Sequence, residues 1–284
     1  FTADCSFIPK AAETVELNNL KNVFVPYLEQ RDANYTCNYP PEFGVRNKMN
    51  GAAVHADAKW GSHVIYHGFV HTFDALVPTA TYAAEHPEYY SEINGKRVTR
   101  NTQLCLTNPD VLRIATAEVR RRLKEHPEAM IFSVSQNDNR NYCRCKKCME
   151  LAEYEGSQAG PLLHFVNAIA NDVVKDYPDK IIDTLAYQYT RKPTKHVKPA
   201  PNIAIRLCSI ECCFSHPLDD PSCPVNAAFF RDIVEWNKIC DRIYIWDYVT
   251  CFPHYIPTFP NFGVLRKNMR FFAEHGVKGM YPEG

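Results

Sequence analysis

The chain has no long apolar run and no excess of charge of either sign. A transmembrane helix needs about 18 or more consecutive apolar residues, and none occurs, so no membrane span is expected. Lys plus Arg and Asp plus Glu are equal at 32 each, which leaves no basic field to attract nucleic acid or anionic lipid. These absences exclude nucleic-acid partners and leave a small molecule or a carbohydrate as the expected ligand.

Two chemical motifs are also missing. No Gly-rich phosphate loop follows a predicted strand, which argues against a dinucleotide-binding site. The 11 His residues are scattered, and no two carry the helical spacing of a zinc-protease ligand pair. A metal-dependent hydrolase is therefore the weakest of the functional hypotheses considered below.

The composition indicates a packed globular protein that is rich in aromatic residues. Hydrophobic residues make up 45% of the 284 residues and charged residues 23%. Tyr and Phe number 16 each, with 3 Trp. Most of these rings fill the core, but rings also stack on the apolar faces of sugars, so the composition suits carbohydrate binding.

Strands and helices alternate along the chain. Strands are predicted at 63–66, 130–135, 181–187, 202–207, 242–246 and 277–281, and helices at 108–123, 160–175, 226–239 and 261–275. Weaker strands near 31–35 and 102–106 bring the number to about eight, which would close a (β/α)8 TIM barrel over residues 31–284. An open doubly wound sheet is the alternative, and the barrel is preferred because polar residues recur after nearly every strand.

Residues 1–30 are expected to form a segment ahead of the barrel. The sequence lacks an initiator Met, and its last residues resemble a strand leaving the core. We therefore expect the chain to be a segment of a longer protein, truncated at both ends.

Three carboxylates follow predicted strands and would meet at the barrel mouth: Asp138, Asp247 and Glu283. Cleavage of a glycosidic bond needs one carboxylic acid to protonate the leaving oxygen and a second carboxylate to activate water or attack the anomeric carbon. The expected roles are Asp138 as general acid and either Asp247 or Glu283 as base or nucleophile, with no cofactor required. Predicted substrate-binding residues at the same strand ends are His67, His71, Asn137, Tyr187, Tyr189, Trp246 and Tyr248.

The 12 cysteines are numerous for a chain of this size, and three of them form the run Cys143-x-Cys145-x-x-Cys148. Short spacing of this kind is typical of thiolates that bind zinc, and a structural zinc would take its fourth ligand from Cys105, Cys212, Cys213 or His216. Disulfides are the alternative, since a secreted protein would oxidise these thiols. Both interpretations remain open on the sequence.

Several ordered motifs from about residue 40 onward resemble a family of largely uncharacterised bacterial proteins related to alpha-glucuronidases and beta-N-acetylhexosaminidases. The motifs are His71-Thr72-Phe73-x-x-Leu76-Val77-Pro78, His86-Pro87-Glu88-Tyr89-Tyr90, Leu104-Cys105-Leu106-Thr107-Asn108-Pro109, Ser133-Val134-Ser135-Gln136-Asn137-Asp138, the triple-Cys run and Leu185-Ala186-Tyr187-x-Tyr189. The resemblance implies a TIM barrel, a glycoside hydrolase-like site, and a periplasmic, cell-surface or secreted location.

The sequence departs from those enzymes at one position. Hexosaminidases place an Asp-Glu pair after the fourth strand, and alpha-glucuronidases use a Glu as acid in this region, whereas here Asp138 is followed by Asn139. Two functions are therefore carried forward. The first is a glycoside hydrolase acting on a polysaccharide or glycan, in which Arg140, Arg144, Arg191 or Lys192 could pair with a uronic acid. The second is a carbohydrate-binding barrel without catalysis.

Overall fold

The computed structural model describes Glu16, Asn18, Lys21 and residues 23–284. Most of the predicted segment 1–30 therefore lies outside the described residues. No helix in the described part of the chain is both long and apolar enough to cross a membrane.

The chain alternates between strands and helices, as the sequence predicts. The strands are β1 (Gln30–Arg31), β2 (Tyr66–His67), β3 (Glu92–Ile93), β4 (Lys96–Arg97), β5 (Ile131–Ser133), β6 (Ile181–Ala186), β7 (Ile203–Cys208), β8 (Ile243–Tyr248) and β9 (Val277–Glu283). The helices are α1 (Pro41–Arg46), α2 (Phe73–Leu76), α3 (Thr79–Tyr82), α4 (Pro109–Glu125), α5 (Lys146–Glu155), α6 (Ala159–Val173), α7 (Pro224–Asn237) and α8 (Leu265–Glu274). Short 3-10 turns span Thr36–Asn38, Ala58–Trp60, Pro87–Tyr89 and Gln188–Thr190.

Seven strands form one parallel sheet in the order β1-β9-β8-β7-β6-β5-β2. The edge strands β1 and β2 are two residues long, and they pair with β9 and β5 rather than with each other. The sheet is therefore an open half-barrel. The class is α/β as expected, but the prediction of a closed eight-stranded TIM barrel is wrong.

One predicted strand did not form in the described part of the chain. Residues 102–106 were predicted to be a strand, but in the structure Leu104 forms only an isolated antiparallel bridge to Tyr90. The neighbouring Gln103 uses its side chain to hold the loop after β5. A strand at 102–106 would follow β2 in chain order, but β2 pairs directly with β5, and among the described residues the sheet ends at β1 and β2.

The core lies between the sheet and the helices. Helix α4 begins as predicted, with Asn108 accepting hydrogen bonds from the backbone N–H groups of Asp110 and Val111 and with Pro109 in the first turn. Helix α6 buries the apolar positions that the sequence pattern assigned to one face, including Val166 and Ile169. These helices cover the convex face of the sheet and leave its concave face to the site.

A two-stranded hairpin lies beside the sheet and was not predicted. Strands β3 and β4 pair antiparallel through a turn at Asn94 and Gly95, which have φ angles of 52° and 73°. Asn-Gly is the preferred pair for a turn that needs positive φ at both positions. The hairpin reaches the loop after β5, because the backbone N–H of Arg144 donates to the carbonyl of Glu92.

The concave face carries a buried ion pair one layer below the strand ends. Arg206 Nε donates to Asp183 Oδ2 at 3.3 Å, and both side chains are fully buried. The guanidinium also lies 5.1 to 5.6 Å from the ring centroids of Tyr66, Phe69 and Tyr244. Gly279 makes room for one of these rings, since a Cβ there would lie 2.5 Å from Tyr244 Cδ1.

Candidate functional site

The carboxyl ends of the parallel strands meet around a cavity of about 370 Å³. Ligands collect at this edge of an α/β sheet because the connecting loops leave the packed strands there. The cavity is lined by His71, Asp138, Leu185, Tyr187, Cys208, Ile210, Trp246, Tyr248, Phe252 and Glu283. Six of these lining residues were predicted from the sequence as catalytic or substrate-binding positions: His71, Asp138, Tyr187, Trp246, Tyr248 and Glu283.

Asp138 lies on the loop after β5 and is exposed to solvent. The Tyr187 hydroxyl donates a hydrogen bond to Asp138 Oδ1 at 3.1 Å. Burial is the main reason that the pKa of Tyr187 rises to about 12, with the charge of Asp138 adding to it. The phenol therefore stays protonated at neutral pH and remains a donor to the carboxylate.

The loop that carries Asp138 is held by hydrogen bonds to residues 102–106, the segment that was predicted to be a strand. Gln103 Nε2 donates to the carbonyls of Asn137 and Asn139 at 2.7 and 2.9 Å, and Gln103 Oε1 accepts from the N–H of Asn137. The side chains of Asn137 and Asn139 both donate to the carbonyl of Thr102. Asn137, predicted to bind substrate, thus fixes the loop.

Glu283 ends β9 and reaches the same cavity from the opposite part of the sheet. The indole Nε1 of Trp246 donates to Glu283 Oε2 at 2.9 Å. Within the described residues, neither Glu283 nor Asp138 forms an ion pair with Lys, Arg or His. Two carboxylates without cationic partners therefore line one cavity, and both can face a ligand.

Asp247, the third predicted carboxylate, does not line this cavity. It is buried, and its Oδ1 accepts from the Ser209 hydroxyl at 2.7 Å. Burial raises its pKa, while the hydrogen bonds from Ser209 and from the backbone of Tyr248 oppose that rise. Its contacts are those of a group that holds the strand ends together.

The two predicted histidines occupy different places. His71 lines the cavity, and its Nδ1 lies 2.8 Å from the carbonyl of Gln136, which fixes the ring. His67 instead stacks on His126 at 4.2 Å between ring centroids and is not among the lining residues. Burial lowers the pKa of His67. The structure thus brings only His71 to the site.

The predicted aromatic residues divide in the same way. Tyr187, Trp246 and Tyr248 line the cavity, and Trp246 stacks on Tyr248 at 6.3 Å between ring centroids. Tyr189 points elsewhere, against Tyr142 at 4.8 Å, beside the cysteines of the β5–α5 loop. Three of the four aromatic residues therefore form one wall of the cavity.

Sequence reasoning missed four lining residues. Leu185 and Cys208 are inward-facing strand positions, and the period of two in a strand would place Leu185 on the same face as Tyr187. Ile210 and Phe252 lie in loops after β7 and β8, where no periodic pattern identifies them. All four are apolar or weakly polar, which makes the cavity less polar than predicted.

Four cysteines form a cluster next to the loop of Asp138. The sulfur atoms of Cys105, Cys143, Cys145 and Cys148 all lie within 4.8 Å of one another, so the cluster could bind a metal ion. The sequence predicted Cys143, Cys145 and Cys148 as possible metal ligands, and the structure identifies Cys105, one of the candidates for the fourth ligand, as the cysteine that joins them. A second group, Cys213, His216 and Cys223, offers three ligand atoms and is more exposed.

The fold and this site define an α/β protein with an open parallel sheet and a carboxylate-lined cavity at the carboxyl ends of the strands. The domain of unknown function DUF4838 matches residues 1–284, and the chain belongs to that family. A search of the curated proteins found no match. The match confirms an uncharacterised domain family and assigns no activity to the cavity.

Proposed function

We propose that this chain is a glycoside hydrolase-like enzyme that cleaves a glycosidic bond in a polysaccharide or glycan. The observation that supports the proposal is the placement of Asp138 and Glu283 on one cavity. Each is held by an aromatic donor, and neither is paired with a cation from the residues that the structure describes. Asp183 on the same face of the sheet is instead paired with Arg206, and Asp247 is bonded to Ser209 away from the cavity. Both Asp138 and Glu283 line the cavity and can therefore contact a ligand bound in it.

In the proposed reaction, Asp138 is the general acid and Glu283 is the base or nucleophile. Asp138 donates its proton to the glycosidic oxygen as the bond to the anomeric carbon breaks. Glu283 either takes a proton from the attacking water or forms a glycosyl ester that water then hydrolyses. Substrate bound against Asp138 would exclude water from this exposed carboxyl. The reaction requires no cofactor.

The lining residues favour neutral sugars over uronic acids. Tyr187, Trp246 and Tyr248 provide ring faces that stack on the apolar faces of sugar rings. No Lys or Arg is among the described residues that line the cavity. Arg191, one of the candidates for binding a uronic acid, pairs with Asp232 and Glu211.

A polysaccharide substrate fits the expected location. Polymers of this kind do not cross a membrane without prior cleavage, so we place the enzyme in the periplasm, at the cell surface or outside the cell. A fusion of the protein to a reporter that is active only outside the cytoplasm would test this placement.

The decisive experiment combines turnover and binding in Asp138→Asn and Glu283→Gln. Reducing-end release is first measured for the unmodified chain on a panel of neutral and acidic polysaccharides, and the best substrate is kept. Each substitution should lower kcat by at least about 100-fold, because a general acid or base contributes roughly this much. Binding of the same polysaccharide, measured by affinity electrophoresis, should change little, since both amides can still accept the bonds from Tyr187 and Trp246.

Asp241→Asn and Glu153→Gln are the matched controls, because both residues are exposed and neither lines the cavity. They should leave kcat within about twofold of the unmodified chain. Normal turnover in Asp138→Asn or Glu283→Gln would contradict the proposed chemistry.

A carbohydrate-binding protein without catalysis is the second candidate. The exposure of Asp138 favours this candidate, because a carboxyl that acts as a general acid at neutral pH normally lies in a dry pocket. Under this alternative the panel gives no turnover, while Trp246→Ala still weakens polysaccharide binding by removing a wall of the cavity. Turnover that depends on Asp138 would exclude it.

A further inference from the structure

The cysteine cluster joins three separate parts of the chain. Cys105 lies ahead of α4, Cys143 and Cys145 lie in the loop after β5, and Cys148 lies in the first turn of α5. Cys105, Cys143 and Cys148 are buried and in mutual contact, with Cys145 partly buried against them. A bond among these sulfurs would therefore fix the loop that carries Asp138.

The arrangement of the sulfur atoms matches a tetrahedral tetrathiolate site. Zinc binds thiolates at about 2.3 Å, so the edges of a Zn–S4 tetrahedron are about 3.8 Å long. Cys105 Sγ and Cys145 Sγ lie 3.7 Å apart, and all four sulfurs are within 4.8 Å of one another. Small side-chain rotations would place them all on one ion.

Hydrogen-bond donors surround the sulfurs as they surround metal-bound thiolates. The Thr107 hydroxyl lies 3.2 Å from Cys148 Sγ and within 3.9 Å of Cys105 Sγ and Cys145 Sγ. The backbone N–H of Glu92 donates to Cys143 Sγ at 3.3 Å. Disulfide sulfurs are weak acceptors, whereas thiolates bound to a metal are commonly stabilised by such contacts.

Positive charge near the cluster suits the charge of a tetrathiolate. Four thiolates on one divalent zinc carry a net charge of minus two. Arg97 Nη1 lies 3.9 Å from Cys143 Sγ, and Arg97 also pairs with Glu92. Lys146 and Lys147 line the same surface cleft as Cys105 and Cys145, together with Glu88 and Glu92. Helix α5 also begins at Lys146, which directs the positive end of its dipole toward the cluster.

We infer that Cys105, Cys143, Cys145 and Cys148 bind one structural zinc ion that fixes the loop carrying Asp138. The four thiols lose four protons when they bind Zn²⁺, and no electron is transferred. The zinc crosslinks the same two segments that Gln103 joins by hydrogen bonds, two residues before Cys105. It takes no part in the proposed sugar chemistry, so its presence can be tested independently of any activity.

The test is metal analysis of the full chain purified under reducing conditions without a chelator. We expect about one zinc ion per chain, measured by inductively coupled plasma mass spectrometry. Cys145→Ser and Cys148→Ser should each lose most of this zinc. The controls are Cys37→Ser, at an exposed cysteine, and Cys240→Ser, at a buried one, and both should retain the full zinc content.

A second measurement keeps the inference testable if the variants fail to fold. Adding an organomercurial to the unmodified chain should release its zinc to a chromogenic dye as the thiols react. The cobalt-substituted chain should show the thiolate-to-metal charge-transfer bands of a tetrahedral sulfur site. Removal of the zinc should lower Tm by at least about 5 °C.

Three results would overturn the zinc site. These are unmodified chain without zinc, iron in place of zinc, and disulfides among the four cysteines in the intact mass of chain that was purified without a reductant. None of these results bears on the carboxylate pair, so failure of the zinc site and failure of the proposed hydrolysis are distinguishable.

Discussion

At the scale of single residues, the partners of each acidic side chain separate structural from functional candidates. Asp247 is bonded to Ser209, and Glu211 is paired with Arg140 and Arg191. In the described part of the chain, the carboxylates of Asp138 and Glu283 have only an aromatic donor each. The sequence cannot make this distinction, because only the folded chain brings the partners to these carboxylates.

Cys213 is predicted to be a reactive thiol. Its Sγ lies 3.1 Å from His216 Nδ1, and the hydrogen bond from His216 lowers the pKa of Cys213 from 9.0 to about 7. Since the thiolate is the nucleophile, alkylation by iodoacetamide should rise with pH and reach half its maximum near pH 7.

His216→Ala should slow alkylation of Cys213 at pH 7 by about fivefold. The pKa then returns toward its usual value, which reduces the thiolate fraction, while the more basic thiolate is intrinsically more nucleophilic and offsets part of the loss. Tandem mass spectrometry of the peptide assigns alkylation to Cys213 or to the adjacent Cys212, whose pKa is raised by burial. An unchanged rate in His216→Ala would disprove the pairing.

At the scale of elements, periodicity predicted the long helices well and the short elements poorly. Helices α4, α6 and α7 and strands β6 to β9 lie within a few residues of their predicted positions. Helix α5 and the β3–β4 hairpin were not predicted, and the strand at 102–106 is absent from the described structure. Short segments carry too few turns or alternations for a pattern, so their contacts decide their conformation.

Helix α6 should contribute strongly to stability through Phe165. This residue is 2% exposed and packs edge-on against Phe73 at 6.0 Å between ring centroids. Phe165→Ala should lower the free energy of unfolding by about 3 to 5 kcal/mol, because it leaves a cavity in the core. Urea denaturation followed by circular dichroism measures the change.

Phe262→Ala is the matched control, since Phe262 is 74% exposed. It should change the free energy of unfolding by less than about 0.5 kcal/mol. Equal effects of the two substitutions would show that α6 does not pack as described.

At the scale of the whole molecule, the concave face of the sheet holds both the site and its support. The ion pair of Arg206 and Asp183 lies below Cys208, which lines the cavity. Burial raises the pKa of Asp183, and the guanidinium of Arg206 opposes this rise. A buried carboxylate of this kind depends on its partner to remain charged.

Arg206→Met should destabilise the chain by about 3 to 5 kcal/mol, because it leaves Asp183 buried and unpaired. The double substitution Arg206→Met with Asp183→Leu should recover most of that loss, since two apolar groups replace the pair. Thermal unfolding compares the variants. Arg113→Met, in an exposed pair with Asp110, is the control and should have an effect below about 0.5 kcal/mol. A double variant no more stable than Arg206→Met would contradict this account.

The sequence by itself determined the α/β class, the long helices and the central strands, because hydrophobic periodicity is a local property of the chain. It also named Asp138 and Glu283 as members of a set at the strand ends. Only the tertiary structure decided that the sheet is open, that Asp247 is bonded away from the cavity, and that Cys105 joins Cys143, Cys145 and Cys148. These features depend on contacts between residues distant in the chain, and such contacts leave no periodic pattern in the sequence.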